Sequence, residues 1–136
     1  METKWTPGPW SLKIRSGTGE STANEVIAEI EQAEPEGGYR GDIARLQSAK
    51  HIGGIADEEL VANAHLLFAA PDLHDGGQAQ TAIICRAQAI LTQYLIPDGI
   101  DGPEAINQLL GLLDGPDQRA AQAKWDAALA KARGQA

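Results

Sequence analysis

Cysteine, aromatic side chains and positive charge are all scarce in this sequence of 136 residues. The single cysteine, Cys85, excludes an intrachain disulfide and a four-cysteine zinc site within one chain. Aromatic residues make up only 4% of the chain, and much of its 43% hydrophobic content is alanine, which buries little area per residue. The core must therefore depend on a small number of leucine, isoleucine and tryptophan side chains.

Acidic residues outnumber basic ones by 19 to 11, which gives a formal net charge of -8 at pH 7. Such a surface does not attract DNA, RNA or anionic lipid broadly, because neutralising phosphate requires a basic surface. We therefore expect no direct nucleic-acid binding. A local group of arginines can still bind an anionic small molecule, so the charge leaves nucleotide ligands open.

Long apolar runs are also missing. No stretch approaches the roughly 18 to 20 apolar residues needed to cross a bilayer, and the N-terminus lacks the basic and apolar regions of a secretory signal. We therefore expect a cytoplasmic protein without a membrane partner.

The N-terminal part of the chain has the alternation that is typical of β-strands. Residues 1–10 contain TPGPW, which predicts an extended arm, and the alternation of Trp10, Leu12 and Ile14 predicts a short strand. Residues 24–33 fit either a strand or a helix, and a strand is favoured because the glycine-containing turn before them makes a hairpin natural. Residues 39–47 are a weaker candidate for a third strand.

Residues 57–73, reading DEELVANAHLLFAAPDL, have the clearest helical pattern. Their apolar residues recur at spacings that follow one helical face, Asp57 can cap the start, and Pro71 indicates an end or kink. Asn63 lies beside small alanines, and we interpret it as an amide that bonds to a strand and fixes the helix on the sheet, with ligand binding as the alternative.

Three further helices are predicted after a polar break at residues 72–77. They cover residues 78–96, 103–114 and 116–133, and the sequence DGIDGPE before the second of them indicates a turn and a helix cap. The predicted fold class is α+β: a small N-terminal antiparallel sheet packed by the central helix and followed by a helical C-terminal half. We predict a single domain, residues 1–136, with a strand-rich part up to residue 56 and a helical part from residue 57.

The segments TPGPW, VIAEI and ANAHLLFAAPDL, taken in this order, resemble a set of small phage and prophage accessory proteins. These proteins combine a short sheet with a similar helix, and the resemblance covers roughly the first seventy residues. It implies a phage protein of the host cytoplasm. It transfers no catalytic residue, because most members have no assigned activity.

Few residues suggest chemistry. Cys85 lies among Ile83, Ile84 and Ala87 in a helical pattern, which predicts a buried and inert thiol. The three histidines do not have the spacing of a metal site. We therefore predict no catalytic residue, no metal site, no cofactor and no enzymatic activity.

The resulting hypothesis is a phage protein that counters host antiviral defence by binding. In one version it sequesters a cyclic nucleotide immune signal, as sponge proteins of the anti-Thoeris and anti-CBASS type do, with arginines clamping phosphate and other side chains contacting the base or ribose. The ligand residues proposed for this version are Tyr39, Arg40, Arg45, Asn63, Phe68 and Arg86.

Two alternatives remain open. The protein could inhibit a CRISPR or other defence complex directly through an acidic face, since five glutamates cluster in one segment, namely Glu25, Glu29, Glu31, Glu34 and Glu36. It could also be a structural or regulatory phage protein. In each case a homo-oligomer is expected, because a chain of this size gains useful burial through association.

Overall fold

The computed structural model describes residues 10–17, 25–33, 39–48 and 54–135 of the chain. The proposed arm with Trp5, the turn after Gly17 and residues 49–53 lie outside these ranges, as do Glu34 and Glu36. Three strands come first, followed by four helices, which confirms the predicted α+β class.

Strands β1 (Trp10–Ser16), β2 (Val26–Ala33) and β3 (Tyr39–Gln47) form one antiparallel sheet in the order β1-β2-β3. In this register Ala28 lies opposite both Ile14 and Leu46, so β2 is the central strand. The prediction of a strand for the ambiguous segment is confirmed. The physical reason is that hydrogen bonds to both neighbours satisfy its backbone while Ile27 and Ile30 become buried.

Helix α1 (Asp57–Phe68) covers one face of this sheet. Leu60 and Ala64 form a buried cluster with Ala28, and all three side chains are 0% exposed. Leu12, Val26 and Leu46 pack around that cluster from the even-numbered positions of the three strands. Alternate residues of the strands form one apolar face, residues three or four apart form another on the helix, and these two faces pack against each other.

The predicted C-terminal end of the helix over residues 57–73 is wrong. The chain leaves helical structure at Ala69, and helix α2 (Ala70–Leu95) begins immediately afterwards. Pro71 lies in the first turn of α2, where its missing N–H costs no helical hydrogen bond. The cap prediction is also displaced by one residue, because the N-cap of α1 is Ala56 and Asp57 is the first helical residue.

The polar break predicted at residues 72–77 is part of α2. Gly76 is buried in this helix, and a β-carbon there would lie 3.2 Å from the ring of Trp125 and 3.3 Å from its Cα. The glycine that suggested a break is thus needed for the close approach of another helix.

Helices α3 (Gly102–Leu113) and α4 (Pro116–Ala132) match their predicted ranges closely. The side chain of Asp101 caps α3 by accepting a hydrogen bond of 2.9 Å from the backbone N–H of Glu104, which confirms the predicted cap. Gly134, with φ of +70°, follows the end of α4 in the left-handed conformation that ends many helices.

The chain divides into two compact units. The first contains residues 1–71 and 129–136 with the sheet and α1, and the second contains residues 72–128 with its own core of Ile83, Leu112 and Ala121. The assignment of a single domain stays a prediction. Among the described residues, no helix is both long enough and apolar enough to span a membrane.

Truncating Leu60 should destabilise the first unit strongly. Because this side chain is fully buried against the sheet, Leu60→Ala should lower the free energy of unfolding by about 2–5 kcal/mol. The matched control is Leu66→Ala in the same helix, where the side chain is 53% exposed and the expected loss is below about 1 kcal/mol. Urea unfolding of both variants would contradict this packing if the two losses were equal.

Candidate functional site

A cluster of charged side chains lies on the face of the sheet opposite α1. The register aligns Lys13, Glu29 and Arg45 across the three strands, and alternation along each strand keeps Arg15 and Glu31 on the same face. This odd-numbered face carries the ion pairs, while the even-numbered face packs against the helix.

Glu29 is the centre of this cluster. The Arg15 guanidinium donates to its two carboxylate oxygens at 2.8 Å and 3.3 Å, and Arg45 Nε lies 3.9 Å from Oε1. Lys13 Nζ lies 2.6 Å from Oε2 of the neighbouring Glu31. The two glutamate side chains are only 15% and 13% exposed, whereas the cations around them are 41–61% exposed.

The ion pair changes the titration of both partners. The hydrogen bond from Arg15 is the main cause that lowers the pKa of Glu29, and partial desolvation opposes it. The positive charges of Arg15, Arg45 and Lys13 lower this pKa further. The same hydrogen bond raises the pKa of Arg15. Both side chains therefore remain charged at neutral pH, and the cluster has three cations and two carboxylates, so it is not acidic.

Of the glutamates that suggested an acidic face, the three in the described part of the chain, Glu25, Glu29 and Glu31, do not present free negative charge. Glu25 is only 3% exposed and accepts a hydrogen bond from Nε2 of Gln47. Glu29 and Glu31 are covered by cations from the neighbouring strands. Strand alternation places Glu29 and Glu31 on one face of the sheet, but the cross-strand partners that neutralise them depend on the register, which the sequence alone does not give.

Arg45, Asn63 and Phe68, the proposed ligand residues of the first unit whose side chains the structure describes, do not converge. Arg45 projects from the face of the sheet away from α1, whereas Asn63 is exposed on α1. Phe68 lies beneath Lys131, whose ammonium is 3.9 Å from the ring centroid. Tyr39 and Arg40 belong to β3, but their side chains lie outside the described residues. The interpretation of Asn63 as a buried amide bonded to a strand is wrong, since the residue faces solvent.

Arg86, the remaining proposed ligand residue, lies in the second unit. Its Nη1 is 2.6 Å from Oδ2 of Asp117, and both side chains are exposed, at 57% and 66%. Arg86 also lines an open groove of about 430 Å³ between α2 and α3. The other residues that line this groove are Ala89, Ile90, Gln108, Gly111 and Leu112.

A second open groove, of about 650 Å³, lies between α2 and α4. Trp125 forms one wall, while His74, Thr81 and Cys85 lie along the other. Cys85 is exposed here, so the prediction of a buried thiol is wrong. The apolar neighbours of Cys85 in sequence face other directions round the helix. Trp125, which forms a wall of this groove, was not among the residues proposed from the sequence.

No group of histidine, cysteine, aspartate or glutamate side chains in the described ranges is arranged to hold a metal ion. The grooves and the charged face offer hydrogen-bonding groups, cations and apolar walls. These are features suited to binding.

Replacing Glu29 by glutamine should reduce the dependence of stability on pH under acidic conditions. Because folding lowers the pKa of Glu29, its carboxylate stabilises the folded state above its unfolded pKa of about 4.3, and this contribution is lost as the pH falls through the lower folded value. The wild type should therefore exceed Glu29→Gln in stability at pH 7, and the difference should shrink below about pH 4.

Urea unfolding at several pH values measures this difference. Glu58→Gln, which removes an exposed carboxylate from α1, is the control for loss of one negative charge. A difference between wild type and Glu29→Gln that stayed constant from neutral to acidic pH would contradict the ion-pair interpretation.

Comparison with known proteins supports a phage origin. Curated proteins and solved structures gave no match to the chain. A protein-family model described as Salmonella phage P22 protein Y8K6 matches residues 1–136. This match extends over the whole chain, beyond the segments that carried the resemblance in the sequence, and the chain belongs to this phage protein family.

Proposed function

We propose that this phage protein acts by binding rather than catalysis, and that it counters host antiviral defence by sequestering a nucleotide immune signal. The observation that carries the proposal is the position of Arg86 at the groove between α2 and α3. Arg86 was suggested as a ligand residue from the sequence, and it lines this groove of about 430 Å³.

The guanidinium of Arg86 can bind a phosphate with little loss of free energy from the contact that it gives up. Its present partner, Asp117, forms an exposed ion pair, and such pairs contribute about 0–1 kcal/mol. A phosphate presents several oxygens to the planar guanidinium and allows bidentate hydrogen bonding. Exchange of the Asp117 carboxylate for a ligand phosphate is therefore favourable on chemical grounds.

The rest of the groove suits the other parts of a nucleotide. Ile90 and Leu112 provide apolar walls, and Gln108 provides an amide. The Gln108 Nε2 group donates to Glu104 at 2.8 Å, which leaves the amide oxygen to accept from a base edge. A volume of about 430 Å³ lies within the usual range of small-molecule sites.

The alternative of an inhibitor with an acidic face has less support. Glu25 is buried, and Glu29 and Glu31 are paired with cations, so these three glutamates do not present free negative charge to a basic partner. A structural or regulatory phage role makes no demand on the groove and predicts no nucleotide binding.

Calorimetric titration with cyclic mono-, di- and trinucleotides and with cyclic ADP-ribose isomers would test the proposal. We expect saturable binding of at least one of these compounds. Arg86→Ala should weaken that binding at least tenfold, because a hydrogen bond to a charged group contributes on the order of 1.5–3 kcal/mol. Arg119→Ala, which removes an exposed arginine of α4, is the matched control and should leave binding unchanged.

Heating the complex distinguishes sequestration from catalysis. Denatured protein should release the nucleotide intact, as detected by mass spectrometry. Release of a cleaved nucleotide would contradict the non-enzymatic proposal, and failure of the whole panel to bind would contradict the nucleotide proposal.

A further inference from the structure

The second unit exposes an unusual amount of apolar surface. Eight large apolar side chains on α2, the following turn and α3 are each 44–76% exposed, namely Ile84, Leu91, Tyr94, Leu95, Ile96, Ile106, Leu110 and Leu113. Isolated apolar side chains on a surface are normal, but a contiguous apolar area marks an interaction surface. The question is therefore whether these eight side chains are contiguous.

The side chains follow a regular pattern on each helix. Three exposed residues come one position after a buried residue: Ile84 follows Ile83, Ile106 follows Ala105, and Leu113 follows Leu112. One residue corresponds to a rotation of about 100° round a helix. Each helix therefore carries a core stripe and, about 100° further round in the same sense, an exposed apolar stripe.

The two helices run antiparallel. Near the turn that joins them, a β-carbon on Gly102 would lie 3.8 Å from the ring of Tyr94, and further from the turn Ile83 and Leu112 share a core cluster. The core stripes of α2 and α3 face each other, and on each helix the exposed stripe lies about 100° further round in the direction of the chain. Because the two helices run in opposite directions, these two rotations bring both exposed stripes to the same side of the helix pair. They form one surface, which we call the hairpin face and which consists of Ile84, Leu91 and Leu95 on α2 and Ile106, Leu110 and Leu113 on α3.

The hairpin face is almost free of charge. Between Asp75 and Asp98 the only charged residue is Arg86, and there is none between Glu104 and Asp114. The whole chain nevertheless carries a net charge of -8, so negative charge is concentrated elsewhere. Because two copies carry the same net charge, their repulsion is smallest when they meet through an uncharged surface.

We propose that the hairpin face binds the same face of a second copy of this chain, forming a twofold dimer whose interface is a four-helix bundle. Two antiparallel helices with apolar stripes on one side constitute half of such a bundle, and an identical pair completes it. At about half exposure, the six side chains of the hairpin face present on the order of 600–700 Å², which is close to the roughly 800 Å² per partner of a stable interface.

The dimer does not depend on the proposed nucleotide function. Arg86 points to the groove shared with Gln108, whereas the dimer uses the exposed stripes of Ile84 and Ile106. Nucleotide binding could fail while dimerisation succeeds, and the reverse is equally possible, so the two experiments test separate claims.

Analytical ultracentrifugation of the full chain over a range of concentrations tests the dimer. The wild type should approach twice the chain mass of 14.4 kDa. Leu95→Glu and Leu110→Glu, on different helices of the hairpin face, should each raise the dissociation constant at least tenfold. Leu66→Glu is the matched control, because Leu66 is 53% exposed but lies on α1, outside the hairpin face.

Circular dichroism should show the same helical content in all variants that are compared, so that a change in mass reflects association and not unfolding. If either variant loses helical content, Ile106→Glu replaces it. A wild type that remains monomeric throughout the concentration range would overturn the proposal. A trimeric mass, or equal dissociation by Leu66→Glu, would overturn it as well.

Discussion

The close approach of helix α1 to the central strand is the contact on which the first unit depends. Ala28 on β2 and Ala64 on α1 have small side chains, and their complete burial shows that the helix lies directly on the sheet there. Leu60 fills the space beside them. Close packing of small side chains therefore joins the helix to the sheet at this point.

This packing also determines where the charges of the sheet can lie. Once the even-numbered positions are committed to the helix, the odd-numbered positions of β1, β2 and β3 must share the opposite face. Glu29 then meets Arg15 and Arg45, and the pairing holds its pKa below the usual range. The second unit differs, since its helices keep a small internal core and leave large apolar side chains uncovered beside it.

Much of the fold could be predicted from local patterns, because strand alternation and helical spacing act over a few residues. The strands Val26–Ala33 and Tyr39–Gln47 and the cap at Asp101 were found in this way. Features that depend on distant residues were missed. The sequence around Gly76 suggested a break, because the residue that explains this glycine, Trp125, lies far along the chain. The exposure of Cys85 and Asn63 depends on which side of each helix is covered by the rest of the protein. The ion pairs and the grooves depend on register and helix packing in the same way.

Hydrogen exchange measured by mass spectrometry tests the role of this helix–strand contact most directly. Ala64→Leu and Ala62→Leu place the same larger side chain on α1 two residues apart, at a buried and at an exposed position. Overfilling a packed position forces shifts of side chains and backbone. If the contact holds the unit together, Ala64→Leu will accelerate exchange in β2 and α1 together, and Ala62→Leu will leave both protected. Equal protection in the two variants would contradict the central importance of this contact.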